Sequence, residues 1–405
     1  MPLRVLHVIS GIDPEDGGPT TALTALAHAL NRAGIDVTLV ATPRTSGHLE
    51  TVDELLSDGV RVRLSEPRRN IFTRDCALDS LLAEEITHAD VVHIHALWED
   101  VQYRAASVSR ALGKPFVIRP CGLLEPWSMA RHRFKKRLYL EVRLRRYLDA
   151  ASGIHFSTAI EEERTRPLRL KAPPIVEPNG LDFTEHKRSS LSNGSFRALW
   201  NIEPETPIVL FLGRLHPKKG VDLLIPAFAR GAPRNAVLVI AGSGDSQYES
   251  SLKQRVLSSG LANRVIFTGF IEGQARNATL ADATVFVLPS HSESFANTVV
   301  ESIACGTPVI VSDQVALHPE VSSKRVGSVV PATIDALAVE IETWLVDRSK
   351  RISAIANADD FLKSYDLKLV ADRWINRYNS LCHTTETAHV PRSSNHPARD
   401  AAAMN

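Results

Sequence analysis

Short apolar runs, separated by segments of helical periodicity, fill most of this 405-residue chain. Val5–Ile9, Val37–Val40, Val91–Ile94, Phe116–Ile118, Ile208–Leu212, Ala236–Ile240, Val285–Leu288 and Val309–Val311 read as buried parallel strands. Between the first two, Leu23, Leu26, Ala27 and Leu30 follow the i, i+3, i+4, i+7 rule, and Gly34 stands where a C-terminal cap belongs. Val221, Leu224, Ile225 and Phe228 repeat the pattern. Pro226 lies inside that second helix, which requires it to fall in the first turn, because proline has no N–H to give. Strand–helix alternation predicts an α/β protein with parallel sheets covered on both faces.

The length exceeds what one hydrophobic core supports, so two domains are expected. Residues 183–207 interrupt the alternation with a polar stretch holding Gly194, Pro204 and Pro207, and are read as the junction. This sets an N-terminal domain at 1–190 and a C-terminal domain at 191–365. From about residue 383 the chain has too few apolar residues to pack, and 383–405 is expected to be a disordered tail.

Charge narrows the choice of partner. Lysine plus arginine is 47 and aspartate plus glutamate 46, which gives no argument for a nucleic-acid binder. The four cysteines, Cys76, Cys121, Cys305 and Cys382, are widely spaced, so neither a zinc motif nor a disulfide framework is expected. The N-terminal run MPLRVLHVIS lacks the pattern of a signal peptide, and no window reaches the roughly eighteen apolar residues of a membrane span. A reducing, cytoplasmic setting is expected.

Five stretches carry candidate chemistry. In residues 11–30, Gly17 and Gly18 follow the first strand and open a helix whose N-terminal amides suit an anion, although a plain strand-to-helix turn reads equally well. In VVHIHALWED, His93 and His95 point to one side of a strand, and His95 lies at the carboxyl end, where open α/β sheets bind ligands. His93 reads as a hydrogen-bonded core residue, and no third ligand at motif spacing supports zinc. In FLGRLHPKKG, Arg214 and Lys219 follow a strand and precede a helix, a setting for a diphosphate or for a solvated basic loop. AGSGD, with Gly242, is a weaker glycine loop in which Asp245 can cap the next helix. Finally, Glu293 and Glu301 stand eight residues apart in HSESFANTVVESIACGTPVI, on neighbouring helix faces by that spacing. Carboxylates suit vicinal hydroxyl pairs, so one can hold a ribose and the other a sugar; a capping acid and a surface acid are the plainer reading.

Glu293-x7-Glu301, with Gly213-Arg214 and Lys219-Gly220, resembles the retaining glycosyltransferases of family 4, which have the GT-B fold. The resemblance extends over Gly17-Gly18, His93-x-His95, Pro178-Asn179-Gly180-Leu181-Asp182, Phe267-x-Gly269 and Pro289-Ser290. It implies two Rossmann-like domains facing across a cleft, with a C-terminal helix crossing back to the first, here within 361–381 and set at 366–382. It further implies that Arg214 and Lys219 clamp the diphosphate of a nucleotide sugar, Glu301 holds its ribose and Glu293 the transferred sugar. Backbone near Phe295, Ala296, Asn297 and Thr298 would contact phosphate or sugar, and His95 with Gly17 and Gly18 would close the site. No metal and no other cofactor is implied. Two departures concern donor identity: Ala296 replaces a frequent glycine, and residues 312–321 lack glycines common there.

Residues 121–152 carry Arg131, Arg133, Lys135, Lys136, Arg137, Arg143, Arg145 and Arg146 among Leu138, Leu140, Val142, Leu144 and Leu148. Such a helix either presents a solvated basic face or lies on anionic lipid at the inner face of the plasma membrane. The segment resembles the matching part of bacterial polysaccharide-assembly transferases. That implies a glycan or lipid-linked acceptor, with Pro120, Trp127 and Arg131 shaping its pocket. A nucleotide-sugar epimerase of the same architecture and a non-catalytic nucleotide-sugar sensor are the competing readings.

Overall fold

The computed structural model describes residues 2–12, 17–42, 50–65, 76–184, 186 and 194–388. Two wholly parallel sheets organise it. The first holds β1 (Arg4–Ile9), β2 (Asp36–Ala41), β3 (Arg61–Leu64), β4 (Val91–His95), β5 (Phe116–Arg119), β6 (Gly153–Phe156) and β7 (Pro174–Val176), in the order β3-β2-β1-β4-β5-β6-β7. The second holds β8 (Ile208–Leu212), β9 (Val237–Ala241), β10 (Val265–Gly269), β11 (Val285–Leu288), β12 (Val309–Ser312) and β13 (Gly327–Val330), in the order β10-β9-β8-β11-β12-β13. In each sheet the order reverses beside the first strand, which places a switch point at the carboxyl ends of β1/β4 and β8/β11.

Every apolar run named from the sequence lies in a strand, save that Ala236 precedes β9 by one residue. Five strands were not named: β3, β6, β7, β10 and β13. Gly34 takes φ 86° just past the helix Gly18–Arg32, and its N–H bonds to the Asn31 carbonyl, as the cap requires. Pro226 departs from expectation. It is the sixth residue of the helix Val221–Gly231, well beyond the first turn. The helix persists because Leu224, Ile225, Ala227 and Phe228 on either side are fully buried, and that burial outweighs a proline penalty of about 3 kcal/mol.

The junction also differs from its sequence reading. Ser195–Leu199 is a helix, and Phe196 and Ile202 pack into the core of the second sheet. The chain passes between the domains twice, and the two passages pair: the Leu181 N–H donates to Tyr365 O (2.8 Å) and the Leu367 N–H to Leu181 O (3.2 Å). A Cβ on Gly180 would stand 2.8 Å from Leu367 Cα, so a glycine is needed for this approach. A helix then runs Leu367–Ala388, past the residue 382 expected to end it; beyond Ala388 the expected tail lies outside the described residues. Val370, Ala371, Trp374 and Tyr378 from this helix bury against β1, β2, β4 and β5 of the first sheet. Arg373 and Arg377 both grip the buried Glu177, at 2.8 Å each.

Candidate active site

The loop after β8 is shaped by one glycine. Gly220 has φ 70°, and a Cβ there would lie 2.2 Å from Pro289 O at the end of β11. This close approach brings Lys219 to Glu293, with Nζ–Oε1 2.8 Å. Burial pushes the Glu293 carboxyl up, but the charges of Lys219 and Lys218 and the Lys219 hydrogen bond overcome it, leaving the group below the ordinary value. Glu293 is therefore a buried carboxylate, charged at neutral pH. Arg214 is exposed and makes no ion pair among the described residues. Gly242 has a structural reason: a Cβ there would meet Gly213 O at 2.0 Å, so the two glycine loops touch backbone to backbone.

Glu293 and Glu301 do not share a helix. The helix begins at Asn297, and Glu293 lies before it in an extended loop paired with Val315. The Glu293 N–H donates to Gln314 O (3.1 Å), and its carbonyl accepts from Ala316 N (2.9 Å), so the glycine-poor loop 312–321 acts as a brace. Glu301, in the second turn, is buried and paired with Arg276 from the helix Gly273–Asp282. No spacing signal pointed to Arg276.

Ala296 caps the helix Asn297–Ala304 with φ 74° and ψ 77°. Alanine thus takes up the left-handed conformation that glycine favours, at a cost of about 1 kcal/mol. The Phe295 ring packs in the core against Tyr365, 5.7 Å between centroids, so only its backbone is available to a ligand. Thr298 is half-buried in the first turn.

The first domain meets this loop directly. Asn297 Nδ2 donates to Gly18 O (3.2 Å), so the N-termini of the helices Gly18–Arg32 and Asn297–Ala304 converge. Asn179 Nδ2 donates to Asn297 Oδ1 (2.7 Å), and Arg119 in turn holds Asn179 Oδ1. Gly17, at φ 93°, caps the first of these helices; residues 13–16 before it lie outside the described residues. Trp127 stands 6.2 Å from the His216 ring, and Lys218 Nζ is 5.6 Å from the Trp127 ring centroid. Arg131, with Arg214, Lys218 and Lys219, contributes to holding the His216 pKa low, after burial as the largest cause. Trp127 and Arg131 thus border the basic loop from across the cleft, while Pro120 is buried.

His95 is at the carboxyl end of β4 but fully buried. It belongs to a row of imidazoles on one sheet face, under Trp374 and Tyr378. The tautomers of two follow from their partners. His155 Nε2–H donates to Glu177 O (2.9 Å), so its Nδ1 accepts from His93 Nε2–H (3.2 Å), and His93 Nδ1 accepts from the Tyr378 hydroxyl (2.8 Å). His7 Nδ1 and His95 Nε2 are hydrogen-bonded at 3.1 Å, and His7 Nε2 and His95 Nδ1 have no partner among the described residues. Burial holds all four well below the usual histidine value, His7 at about 3. His7 supplies the third imidazole beside His93 and His95 that sequence spacing did not show. Both His93 nitrogens are already engaged, by His155 and Tyr378, so the trio as it stands offers a metal two free imidazole nitrogens rather than three.

Two doubly wound domains facing across a cleft, with acids and cations at the carboxyl edge of the second, define a GT-B-type transferase. Comparison with known families agrees. Residues 17–180 match the glycosyl transferase 4-like domain, and residues 194–361 match glycosyl transferases group 1. The chain belongs to the family 4 glycosyltransferases of GT-B fold and is an enzyme of that class. It is 26% identical over 338 residues to alpha-maltose-1-phosphate synthase of Mycobacterium tuberculosis, covering 81% of this chain and 84% of the relative. It is 28% identical over 217 residues to phosphatidyl-myo-inositol mannosyltransferase of Mycolicibacterium smegmatis, covering 52% of this chain and only 53% of that one. Among solved structures, Anabaena Alr3699/HepE in complex with UDP and glucose superimposes with TM-score 0.76 at 19% identity, covering 93% of this chain and 100% of that one. At that identity the likeness shows the fold alone.

Proposed function

We propose that the enzyme moves a hexose-type sugar, with retention, from a nucleoside-diphosphate sugar to a hydroxyl on a lipid-linked or polysaccharide-precursor glycan. The pair of Lys219 with the buried Glu293, set beside the convergent helix N-termini of Gly18 and Asn297, carries this reading. Glu293 would accept hydrogen bonds from sugar hydroxyls. Lys219, Arg214 and the helix amides would hold the diphosphate, and Glu301, oriented by Arg276, the ribose. In the transfer, the acceptor oxygen bonds to C1 while the C1–phosphate oxygen bond breaks on the same face. The departing phosphate takes the acceptor proton, and the cations stabilise its charge. With those cations in place the reading calls for no metal.

The acceptor assignment rests on the surface beside the cleft. Phe134, Leu138 and Val142 are 77%, 66% and 73% exposed and stand four residues apart, on one side of the helical segment 133–148. Arg131, Arg133, Lys135, Arg137 and Arg146 are exposed around them, and Glu141, paired with Arg145, is the single acid between 126 and 148. No helix among the described residues is long and apolar enough to cross a membrane. An apolar ridge in a basic field suits the interface of an anionic bilayer. Replacing Phe134, Leu138 and Val142 together by serine is expected to weaken sedimentation with phosphatidylglycerol vesicles by at least about tenfold, with the melting temperature little changed. Equal sedimentation would remove the membrane from the proposal.

The reaction itself is tested by thermal shift with UDP-, GDP- and ADP-sugars, followed by turnover with and without a glycolipid acceptor. Acceptor-dependent loss of donor, with the anomeric configuration kept in the product, is the expected result. A new stereocentre formed on the free nucleotide sugar would favour the epimerase, and tight binding without turnover the sensor.

A further inference from the structure

The loop that carries Glu293 is gripped from the opposite domain on both sides. One residue before it, Ser292 Oγ donates across the cleft to Glu125 Oε2 at 2.7 Å. One residue after it, Ser294 O accepts from Thr158 Oγ1 at 3.1 Å. The Gln314 carbonyl that receives the Glu293 N–H also receives Arg164 Nη1, at 3.2 Å. Arg164 is itself 3.6 Å from Glu125 Oε2, so one carboxylate in the first domain joins two of these contacts.

Glu125 is unusual in its own right. It is almost fully buried, and its other oxygen, Oε1, has no partner among the described residues. A desolvated carboxylate that bonds across an interface is set by both surfaces at once, and separating the domains removes its Ser292 partner. Its placement is fixed from behind. Glu161 accepts the Gly122 N–H at 2.6 Å and the Ser157 N–H at 2.7 Å, and the Glu125 N–H bonds to Gly122 O at 3.3 Å. Gly122 packs so closely on Ser294 that a Cβ there would meet its Oγ at 2.9 Å.

We propose that Glu125, with Arg164, is a positioning residue for Glu293, holding the sugar-gripping loop in shape from the opposite domain so that the site is complete only when the cleft is closed. This rests on the role given to Glu293 above. The diphosphate cations Arg214 and Lys219 belong to the second domain alone, so nucleotide binding and sugar alignment answer to different parts of the molecule.

The test compares the full-length chain with Glu125→Ala, Glu125→Gln and Ser292→Ala. Binding of UDP, GDP and ADP is read by thermal shift, and transfer and hydrolysis of the corresponding glucose or mannose donors by product analysis. Glu125→Ala is expected to bind the nucleoside diphosphate within about twofold of wild type, while kcat falls about tenfold or more and the share of donor lost to water rises. Glu125→Gln, which keeps an acceptor for Ser292, is expected to recover most of kcat. Ser292→Ala perturbs the same bond from the other domain, so the double variant should be little worse than either single one. Wild-type kcat and hydrolysis share in Glu125→Ala would overturn the proposal, as would full additivity of the two changes. If Glu125→Ala does not fold, Ser292→Ala with unaltered kcat is the overturning result. Failure of wild type to transfer any of these sugars would overturn the glycosyl-transfer reading as well, a result distinct from active variants in an active background.

Discussion

Glu293→Ala is expected to lower kcat/KM by on the order of 10²–10³, about 3–4 kcal/mol in the transition state, the range typical for removing one preorganised electrostatic contact. The fold should survive. The loop is held by backbone bonds to Gln314 and Ala316, which the substitution leaves in place. The Lys219 side chain is 21% exposed and can turn toward water once its partner is gone. The melting temperature is therefore expected to stay within a few degrees of wild type. Lys219→Met is the informative companion. It strands Glu293 as a buried acid without its cation, so the carboxyl pKa rises, and it removes a positive charge from the diphosphate site. Loss of nucleotide affinity in Lys219→Met but not in Glu293→Ala would separate phosphate binding from sugar binding. Near-normal transfer by Glu293→Ala, measured with saturating donor and acceptor, would remove Glu293 from the mechanism.

The division of labour between these residues was partly legible in the sequence. Buried parallel strands such as Ile208–Leu212 announce themselves because both faces are covered, so every position is apolar. Edge and outer strands do not. β3 reads RVRL with three of its four residues exposed, β7 begins with a proline, and β6 contains Gly153 and His155. Lys219 and Glu293 were legible because each follows a strand at its carboxyl end. Their direct contact was not, because it depends on Gly220 lying against Pro289, an approach between crossovers far apart in the chain. Arg276, Asn179 and Glu125 were harder still. Each acts through a partner at least 25 residues away: Glu301, Asn297 and Ser292 respectively. Asn179 lies within Pro178–Asp182 and Glu125 within the basic stretch 121–152, but nothing in local spacing distinguishes a cross-domain hydrogen bond from a solvated polar residue. His95 was placed correctly on its strand, yet the sequence did not show that His7 and His155 join its row, since only the sheet order sets β1 beside β4 and β6 one strand further on, beyond β5.

That row of imidazoles carries the second large effect, an acid-driven unfolding of the first domain. His7, His93, His95 and His155 are all held neutral, with folded pKa values far below the ordinary 6.5, His7 at about 3, because burial penalises the charged form and neighbouring Arg119 adds to it. A depressed histidine pKa means that the unfolded chain binds the proton and the folded chain does not. Stability is therefore present above about pH 6.5 and is lost as pH falls toward the folded values. Each histidine contributes a slope of about 1.4 kcal/mol per pH unit inside that window. Glu161 opposes them. Burial pushes its carboxyl up to about 7 against the two amides it accepts, so between 4.5 and 7 the folded state keeps a proton that the unfolded state has released. Four groups that take up protons on unfolding, against one that gives a proton back, leave a net uptake, so stability falls as pH drops below 6.5. Urea unfolding followed by far-ultraviolet circular dichroism across that range should show this decline. Glu161→Gln should steepen it by about one proton and His7→Gln should relax it by about one, whatever either change does to stability at neutral pH. A wild-type slope below one proton would mean that the histidines are already protonated in the folded domain. The hydrogen-bonded order from Glu177 through His155 and His93 to Tyr378 could not then hold, because a charged His155 or His93 has no lone pair left to accept.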